Sequence, residues 1–247
     1  MIRLQRSLNP LSLRDPADEQ KLGLAFQMNP NLKPWRATDI LSALYAASHG
    51  KCAYCEVTLG TADAMEVDHL VPKSIDPTLA ATWANLIPSC HHCNNHKSTY
   101  DSRNGFINPF SVEPRDHLFY EHGRFYPRTD HGYQFLSRLQ INRRTVREHA
   151  ALWDTVAEDI GELYTDLQEL EAGRLALTTR RSTKFRAKAL TVLYAATPEA
   201  EYSAAVASRL LVDRHWPSVE SLLRKHAIWD AVFTQYLAQA QAAALLL

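Results

Sequence analysis

The sequence lacks any run of about 18 apolar residues, the length that a helix needs to span a membrane. Its first residues, Met1 to Arg6, also lack the apolar stretch of a secretory signal peptide. These two absences predict a cytoplasmic protein that has no contact with a membrane. The chain has 247 residues, 46% of them hydrophobic, which suffices for one large domain or two small ones with a packed core.

The chain also lacks an excess of basic residues, because Lys and Arg together number 27, as do Asp and Glu. A global positive charge would have indicated a nucleic-acid partner. Residues 36–135 carry eight basic and eleven acidic side chains, so this stretch is a poor surface for a polyanion. A basic cluster without acids lies in residues 172–196, and its members are Arg174, Arg180, Arg181, Lys184, Arg186 and Lys188. We expect it to be either a binding surface for nucleic acid or an acidic partner, or a solvated helix face.

Cysteine is scarce, but the four cysteines fall in two CxxC pairs, Cys52 with Cys55 and Cys90 with Cys93. Disulfides would suit a secreted protein, whereas thiolates in a reducing compartment favour a metal. Two such pairs complete a tetrahedral structural zinc site. The 34 residues between the pairs exceed the gap of about 15 to 20 in an ordinary zinc ribbon. The sequence therefore predicts a zinc site with an insertion between its two knuckles.

Polar residues that point to catalysis lie in this insertion and just after it. Asp68 and His69 lie in an apolar segment with β-branched residues, Asn85 follows a loop, and Asn94 and Lys97 come directly after the second CxxC pair. The order Asp-His, Asn, Cys-x-x-Cys-Asn-x-x-Lys resembles the HNH, or ββα-metal, nucleases in the variant that four cysteines stabilise.

The local pattern predicts the matching order of elements. A short strand is expected from Met65 to Val71, a second at Leu86 to Pro88, and a helix from Asn94 to about Tyr100.

The resemblance implies a role for each motif residue. His69 is the general base that accepts a proton from the attacking water, because a neutral imidazole titrates near the working pH. Asp68 and Asn94 hold the catalytic cation, and such oxygen ligands suit Mg²⁺ or Mn²⁺ better than zinc. Asn85 ties the loop and orients the base, which is a structural role. Lys97 falls in a basic position of the helix, where it either contacts a substrate phosphate or stays solvated.

Neighbouring polar residues are expected to stay outside both metal sites. His91, His92 and His96 are not needed for zinc, because four cysteines already complete its coordination. Glu66 is expected beside the cation site or in solvent rather than as a ligand. Ser98 stands where HNH members with a final His often add a ligand, so we expect the catalytic ion to be held weakly.

The predicted fold class is α+β, with a ββα-metal HNH core around a structural zinc followed by a mostly helical domain. Frequent Asn-Pro, Asp-Pro and Lys-Pro pairs predict an extended N-terminal arm over residues 1–35, with about one helical turn. The nuclease domain is expected over residues 36–135. The helical, partner-binding domain is expected over residues 136–247, because apolar residues recur there at steps of three and four. Its helices are predicted at 143–173, 182–196, 198–212 and 217–245.

Weaker similarities extend the resemblance along most of the chain. They lie at Arg3–Ser7, Asn108–Phe110, Asp116–Phe119, Gly123–Phe125 and Leu139–Asn142. These segments resemble the HNH subunits of Septu-type and retron-associated anti-phage systems. In those systems the nuclease works beside an ABC-type ATPase, so the resemblance implies such a partner here.

The predicted function is therefore that of a metal-dependent HNH endonuclease in anti-phage defence, with DNA as the favoured substrate. RNA, including tRNA, stays open because nothing in these motifs selects the sugar. A non-catalytic zinc-ribbon module that binds nucleic acid or protein is the alternative from another class. A stand-alone restriction or homing nuclease is a third possibility.

Overall fold

The computed structural model describes residues 1–60 and 63–247. The contacts divide the chain into two units, which are described separately. Unit 1 comprises Met1–Leu118 and Phe125–Arg143, and unit 2 comprises Phe119–Arg124 and Arg144–Leu247. In the described part of the chain, no helix is long and apolar enough to cross a bilayer.

Unit 1 contains the predicted ββα order. Strands β1 (Met65–His69) and β2 (Leu86–Cys90) pair antiparallel, with His69 opposite Leu86, and helix α3 (His91–Lys97) follows directly. The helix begins three residues earlier than predicted because the Cys90 sulfur accepts the N–H of Cys93 and caps it. The other elements of unit 1 are α1 (Pro16–Met28), α2 (Thr38–Ala47) and α4 (Asp130–Leu139). Strands β3 (Leu118–Glu121) and β4 (Arg124–Pro127) lie where the chain passes between the units.

The first 35 residues differ from the extended arm that the sequence predicts. Helix α1 begins at Pro16, where the missing N–H of proline is harmless, and Asp15 caps it by accepting the N–H of Ala17. Phe26 and Trp35 are buried in a core cluster shared with α2 and β2. The N-terminal residues therefore pack as part of unit 1.

Unit 2 is helical, as predicted. Its helices are α5 (Ile141–Glu171), which starts in unit 1, α6 (Thr179–Tyr194), α7 (Ser203–Leu210), α8 (Trp216–Lys225) and α9 (Ala231–Ala243). The single helix expected at 217–245 is two helices, because Asp230 accepts the N–H groups of Val232 and Phe233 and starts a new one. The apolar stripe of α5 is buried at Trp153, Ile160 and Leu167.

Four of the six residues of the basic cluster form ion pairs within unit 2. The pairs are Arg174 with Glu169, Lys184 with Asp166, Arg186 with Asp230, and Lys188 with Asp159 and Glu162. These partners come from other helices or turns, which the local sequence did not indicate. The pairing favours the solvated-face interpretation of this cluster over a nucleic-acid surface.

Candidate active site

The four cysteines converge in unit 1. Their Sγ atoms all lie within 4.8 Å of one another, and all four residues are buried. The first knuckle is tight, because Cys52 accepts the N–H of Glu56 at 2.9 Å and donates its own N–H to Val57 at 2.8 Å. Four sulfur donors at this spacing fit a tetrahedral zinc, and their burial fits a structural site.

The His69 ring is held in one tautomer. Its Nε2 lies 3.0 Å from the carbonyl oxygen of Ala80, and since a carbonyl only accepts, Nε2 carries the proton. The lone pair is therefore on Nδ1, which lies 3.2 Å from the Lys73 ammonium. Trp35 packs edge-on against the ring with centroids 4.9 Å apart. Burial, with help from the Lys73 charge, lowers the pKa of His69 to about 3, so the imidazole is neutral at physiological pH. The expectation that it titrates near the working pH is therefore wrong, because the ring is buried beside a cation.

Asn85 connects the loop between β1 and β2 to the strand end. Its Oδ1 accepts the N–H of Val71 at 2.7 Å, and its Nδ2 donates to the carbonyl oxygens of Val71 at 3.1 Å and Leu79 at 3.0 Å. Leu79 precedes Ala80, whose carbonyl orients His69. These bonds support the structural role proposed for Asn85.

Asp68 points inward and its carboxylate is engaged. The Tyr54 hydroxyl donates to Oδ2 at 2.6 Å and the Lys97 ammonium donates to Oδ1 at 3.3 Å. Burial raises the pKa of Asp68, although Lys97 and Tyr54 oppose the rise. Lys97 also donates to the backbone oxygen of His69 at 2.6 Å and is only 1% exposed.

The structure thus corrects the expectation that Lys97 contacts a phosphate or solvent. The physical reason is the inward-facing carboxylate of Asp68, which needs a buried cation beside it. The hydroxyl partner, Tyr54, lies inside the first CxxC pair, and its sequence position gave no sign of this contact.

Asn94 is bonded to Glu66 rather than to Asp68. Its Nδ2 donates to Glu66 Oε2 at 2.6 Å, and because a carboxylate only accepts, the Asn94 Oδ1 faces away. His91 Nδ1 lies 2.8 Å from Glu66 Oε1. Burial acts to raise the pKa of Glu66, but the hydrogen bonds from Asn94 and His91 lower it overall, so this carboxylate is ionised. The sequence did not predict the hydrogen bonds that Glu66 forms with Asn94 and His91.

The oxygen atoms on this face suit a hard cation. Glu66 and Asp68 are two residues apart on β1 and share a face, while His69 lies on the other. Carboxylates with the Asn94 amide oxygen match the preference of Mg²⁺ or Mn²⁺. The donor types fit such an ion, but both oxygens of Asp68 are bonded to Tyr54 and Lys97, so a cation at Asp68 has to compete with the Lys97 ammonium.

The other two histidines of α3 lie outside the four-sulfur cluster. His92 and His96 stack with centroids 3.9 Å apart, and His92 Nε2 lies 3.1 Å from the Leu139 carbonyl. Their roles are packing and hydrogen bonding within unit 1.

The HNH endonuclease family model matches residues 52–99, from the first knuckle to just beyond α3. The chain is 30% identical over 245 residues to the Septu protein PtuB of Bacillus thuringiensis, covering 98% of this chain and 94% of that protein. The chain belongs to the PtuB family. The Septu protein PtuB of Bacillus mycoides strain KBAB4 is 28% identical over 146 residues, 45% of this chain and 48% of that protein. No solved structure matches the chain.

The HNH match and the PtuB relationship together identify an endonuclease that acts on nucleic acid. The prediction of an HNH nuclease is confirmed, and the non-catalytic zinc-ribbon alternative is not supported. The matched segment contains the four cysteines and every motif residue of this PtuB-family chain.

Two further contributors to the site were missed from the sequence. Lys73 carried a usable signal, because it is a basic residue just after the Asp-His motif in a net acidic region. Trp35 carried no signal in the sequence, since only the packing of α1 and the following turn brings it to His69.

Proposed function

We propose that this protein hydrolyses phosphodiester bonds in DNA as the nuclease effector of a Septu-type anti-phage defence system in the cytoplasm. It does so together with an ABC-type ATPase. The observation that carries the proposal is the state of His69, a neutral imidazole whose Nε2–H is fixed by the Ala80 carbonyl and whose lone pair is on Nδ1. The family relationship supports the defence role.

His69 accepts the proton of the attacking water at Nδ1. The Ala80 carbonyl keeps the ring oriented and stabilises the imidazolium that results, and Asn85 keeps that carbonyl in place through the adjacent Leu79. General-base catalysis of this kind contributes typically about 10²- to 10⁴-fold to a rate.

Asp68 and Asn94 are the proposed ligands of the catalytic ion, with the Oδ1 of Asn94 turned away from Glu66 for this purpose. A Mg²⁺ or Mn²⁺ ion bound there would stabilise negative charge on the phosphoryl and leaving oxygens. Lys97 keeps the Asp68 carboxylate in position.

The ATPase partner is proposed to help grip the substrate. Residues 36–135 are net acidic, and the basic cluster of unit 2 is engaged in ion pairs. A net acidic region and a largely paired basic cluster hold a polyanion poorly. We therefore expect cleavage by the isolated chain to be slow.

The test is a cleavage assay on supercoiled plasmid DNA and on tRNA with Mg²⁺ or Mn²⁺. The chain, the proposed ATPase partner, and both together are compared. We expect nicking or linearisation of DNA by the pair and little by either alone. Preferential cleavage of tRNA would replace DNA by RNA in the proposal, and an isolated chain as fast as the pair would remove the partner from it.

Residues 136–247 are proposed to bind the partner. Hydrogen exchange of the full chain, measured with and without the ATPase, should show new protection in the helices of unit 2. Protection confined to unit 1 would contradict this assignment.

A further inference from the structure

Lys73 lies next to the catalytic base. It follows β1 by four residues, and its ammonium is 3.2 Å from His69 Nδ1, the nitrogen that carries the lone pair. The same ammonium lies over the Trp35 ring, 4.7 Å from the ring centroid. The Lys73 ammonium thus contacts both the His69 ring and the face of the Trp35 ring.

The ammonium of Lys73 is half-buried and lacks a carboxylate partner among residues 1–60 and 63–247. Asp68 attracts it through space, but both oxygens of Asp68 are already bonded to Tyr54 and Lys97. Burial lowers the pKa of Lys73, and the charges of Lys97 and Lys33 add to this effect.

A half-buried cation without a counter-anion is unfavourable, and a cation–π contact offsets only part of that cost. Stability alone does not explain why a lysine stands here. A phosphate at this point would complete the arrangement with the missing negative charge.

We propose that Lys73 is a catalytic residue that binds a non-bridging oxygen of the scissile phosphate. The inference rests on the proposed role of His69 as general base. It assigns to Lys73 the phosphate contact that the sequence suggested for Lys97, whose ammonium is buried against Asp68.

This contact also links substrate binding to the base. In the structure Lys73 donates to the Nδ1 lone pair that His69 needs for the water. A phosphate oxygen is a stronger acceptor for an ammonium than a neutral imidazole. Phosphate binding therefore draws Lys73 away from Nδ1 and leaves the lone pair free for the attacking water.

The first test is binding of a duplex oligonucleotide by the chain with its ATPase, without divalent ions added, across a range of salt concentrations. Lys73→Met removes the charge, Lys73→Arg keeps it, and Lys21→Met removes an exposed lysine of α1 as the control. We expect Lys73→Met to weaken binding about 10-fold and to reduce the slope of log K against log salt by about one. Lys73→Arg should retain the slope, and Lys21→Met should match the wild type.

The second test is turnover together with stability. Loss of a cation that stabilises the transition-state charge should lower kcat of Lys73→Met by about 10²- to 10³-fold. The Tm of this variant should be unchanged or higher, because an unpaired buried charge has been removed. A lysine with a merely structural role would give the reverse, a lower Tm with kcat retained.

The outcomes separate this inference from the function on which it rests. If the wild-type pair cuts DNA or RNA and Lys73→Met keeps the wild-type salt slope and kcat, the role of Lys73 is overturned while the nuclease function stands. If the wild-type pair neither binds nor cuts nucleic acid, both are overturned.

Discussion

His69 is buried, and its imidazole is neutral at physiological pH. Its folded pKa of about 3 lies below the ordinary value of 6.5, so protons bind the unfolded chain more readily than the folded one. The stability that this gives is fully present above pH 6.5 and is lost as the pH falls from 6.5 towards 3.

A measurable consequence is a pH-dependent difference between the wild type and His69→Asn. From pH 7.5 to 5.5 the wild type should lose about 1.4 kcal/mol more unfolding free energy than the variant. Urea unfolding of both proteins with zinc bound measures this, and the zinc site affects both alike. Equal losses would show that the pKa of His69 is not lowered in the folded protein.

The buried pair of Asp68 and Lys97 gives a second prediction. Lys97→Met keeps most of the side-chain volume but leaves the carboxylate without its cation, which should lower the unfolding free energy by about 3 to 5 kcal/mol. The double variant Asp68→Asn with Lys97→Met removes both charges and should be more stable than Lys97→Met alone. Denaturant titration measures all three proteins, and a double variant no better than the single one would argue against the ion pair.

The motif residues could be predicted from sequence because their types and spacing are tied to the zinc knuckles. Their partners could not be predicted. Whether Asp68 meets Tyr54 and Lys97, or Asn94 meets Glu66, depends on side-chain directions that are set only when β1 and α3 pack. For this reason the candidate residues could be named from the sequence, whereas their contacts could not.

Among the elements, α1 shows how the N-terminal residues support the catalytic loop. Gly23 of α1 lies so close to the Thr78 carbonyl that a Cβ there would clash with the backbone. Thr78 belongs to the same 3₁₀ turn as Ala80, the residue that orients His69.

Gly23→Ala should therefore destabilise the protein, although alanine is the better helix former by about 1 kcal/mol. The matched control is Gly161→Ala in α5, where a Cβ meets nothing within 4 Å, and this change should raise stability. Thermal unfolding of the two variants measures the difference. A Gly23→Ala protein that is more stable than the wild type would rule out the close approach.

The zinc knuckles couple metal binding to the fold of the ββα core. Cys90 ends β2 and caps α3, so loss of its sulfur removes a metal ligand and a helix cap together. Cys90→Ser should unfold the core, since the binding energy of such a site is also folding energy. Metal analysis should give one zinc per chain in the wild type, and a zinc-free variant with native near-ultraviolet circular dichroism would contradict the structural site.

The pattern predicted β1, β2 and the long α5 because their periodicity is strong and local. It missed α1 because proline pairs on both sides of it were read as breakers, although Pro16 opens the helix. The pattern predicted one helix in place of α8 and α9, because apolar residues continue across Asp230, which caps α9.

At the scale of the whole molecule, the predicted α+β class and the helical C-terminal region match the structure. The division into units follows long-range contacts, which local sequence does not indicate, and residues 1–35 join the nuclease unit for this reason. The tertiary structure also changes the interpretation of the charged residues. The basic cluster of α6 is conspicuous in the sequence, but acids from other parts of unit 2 pair with most of it.

The central claim is that His69 is the general base of a nuclease. Its most direct test is cleavage of plasmid DNA and tRNA by the chain together with its proposed ATPase partner and Mg²⁺, comparing His69→Ala with His131→Ala, an exposed histidine of α4. The account predicts that His69→Ala lowers the rate by about 10²- to 10⁴-fold with its zinc and fold retained, while His131→Ala cuts at the wild-type rate. A folded, zinc-bound His69→Ala protein that cleaves as fast as the wild type would contradict it.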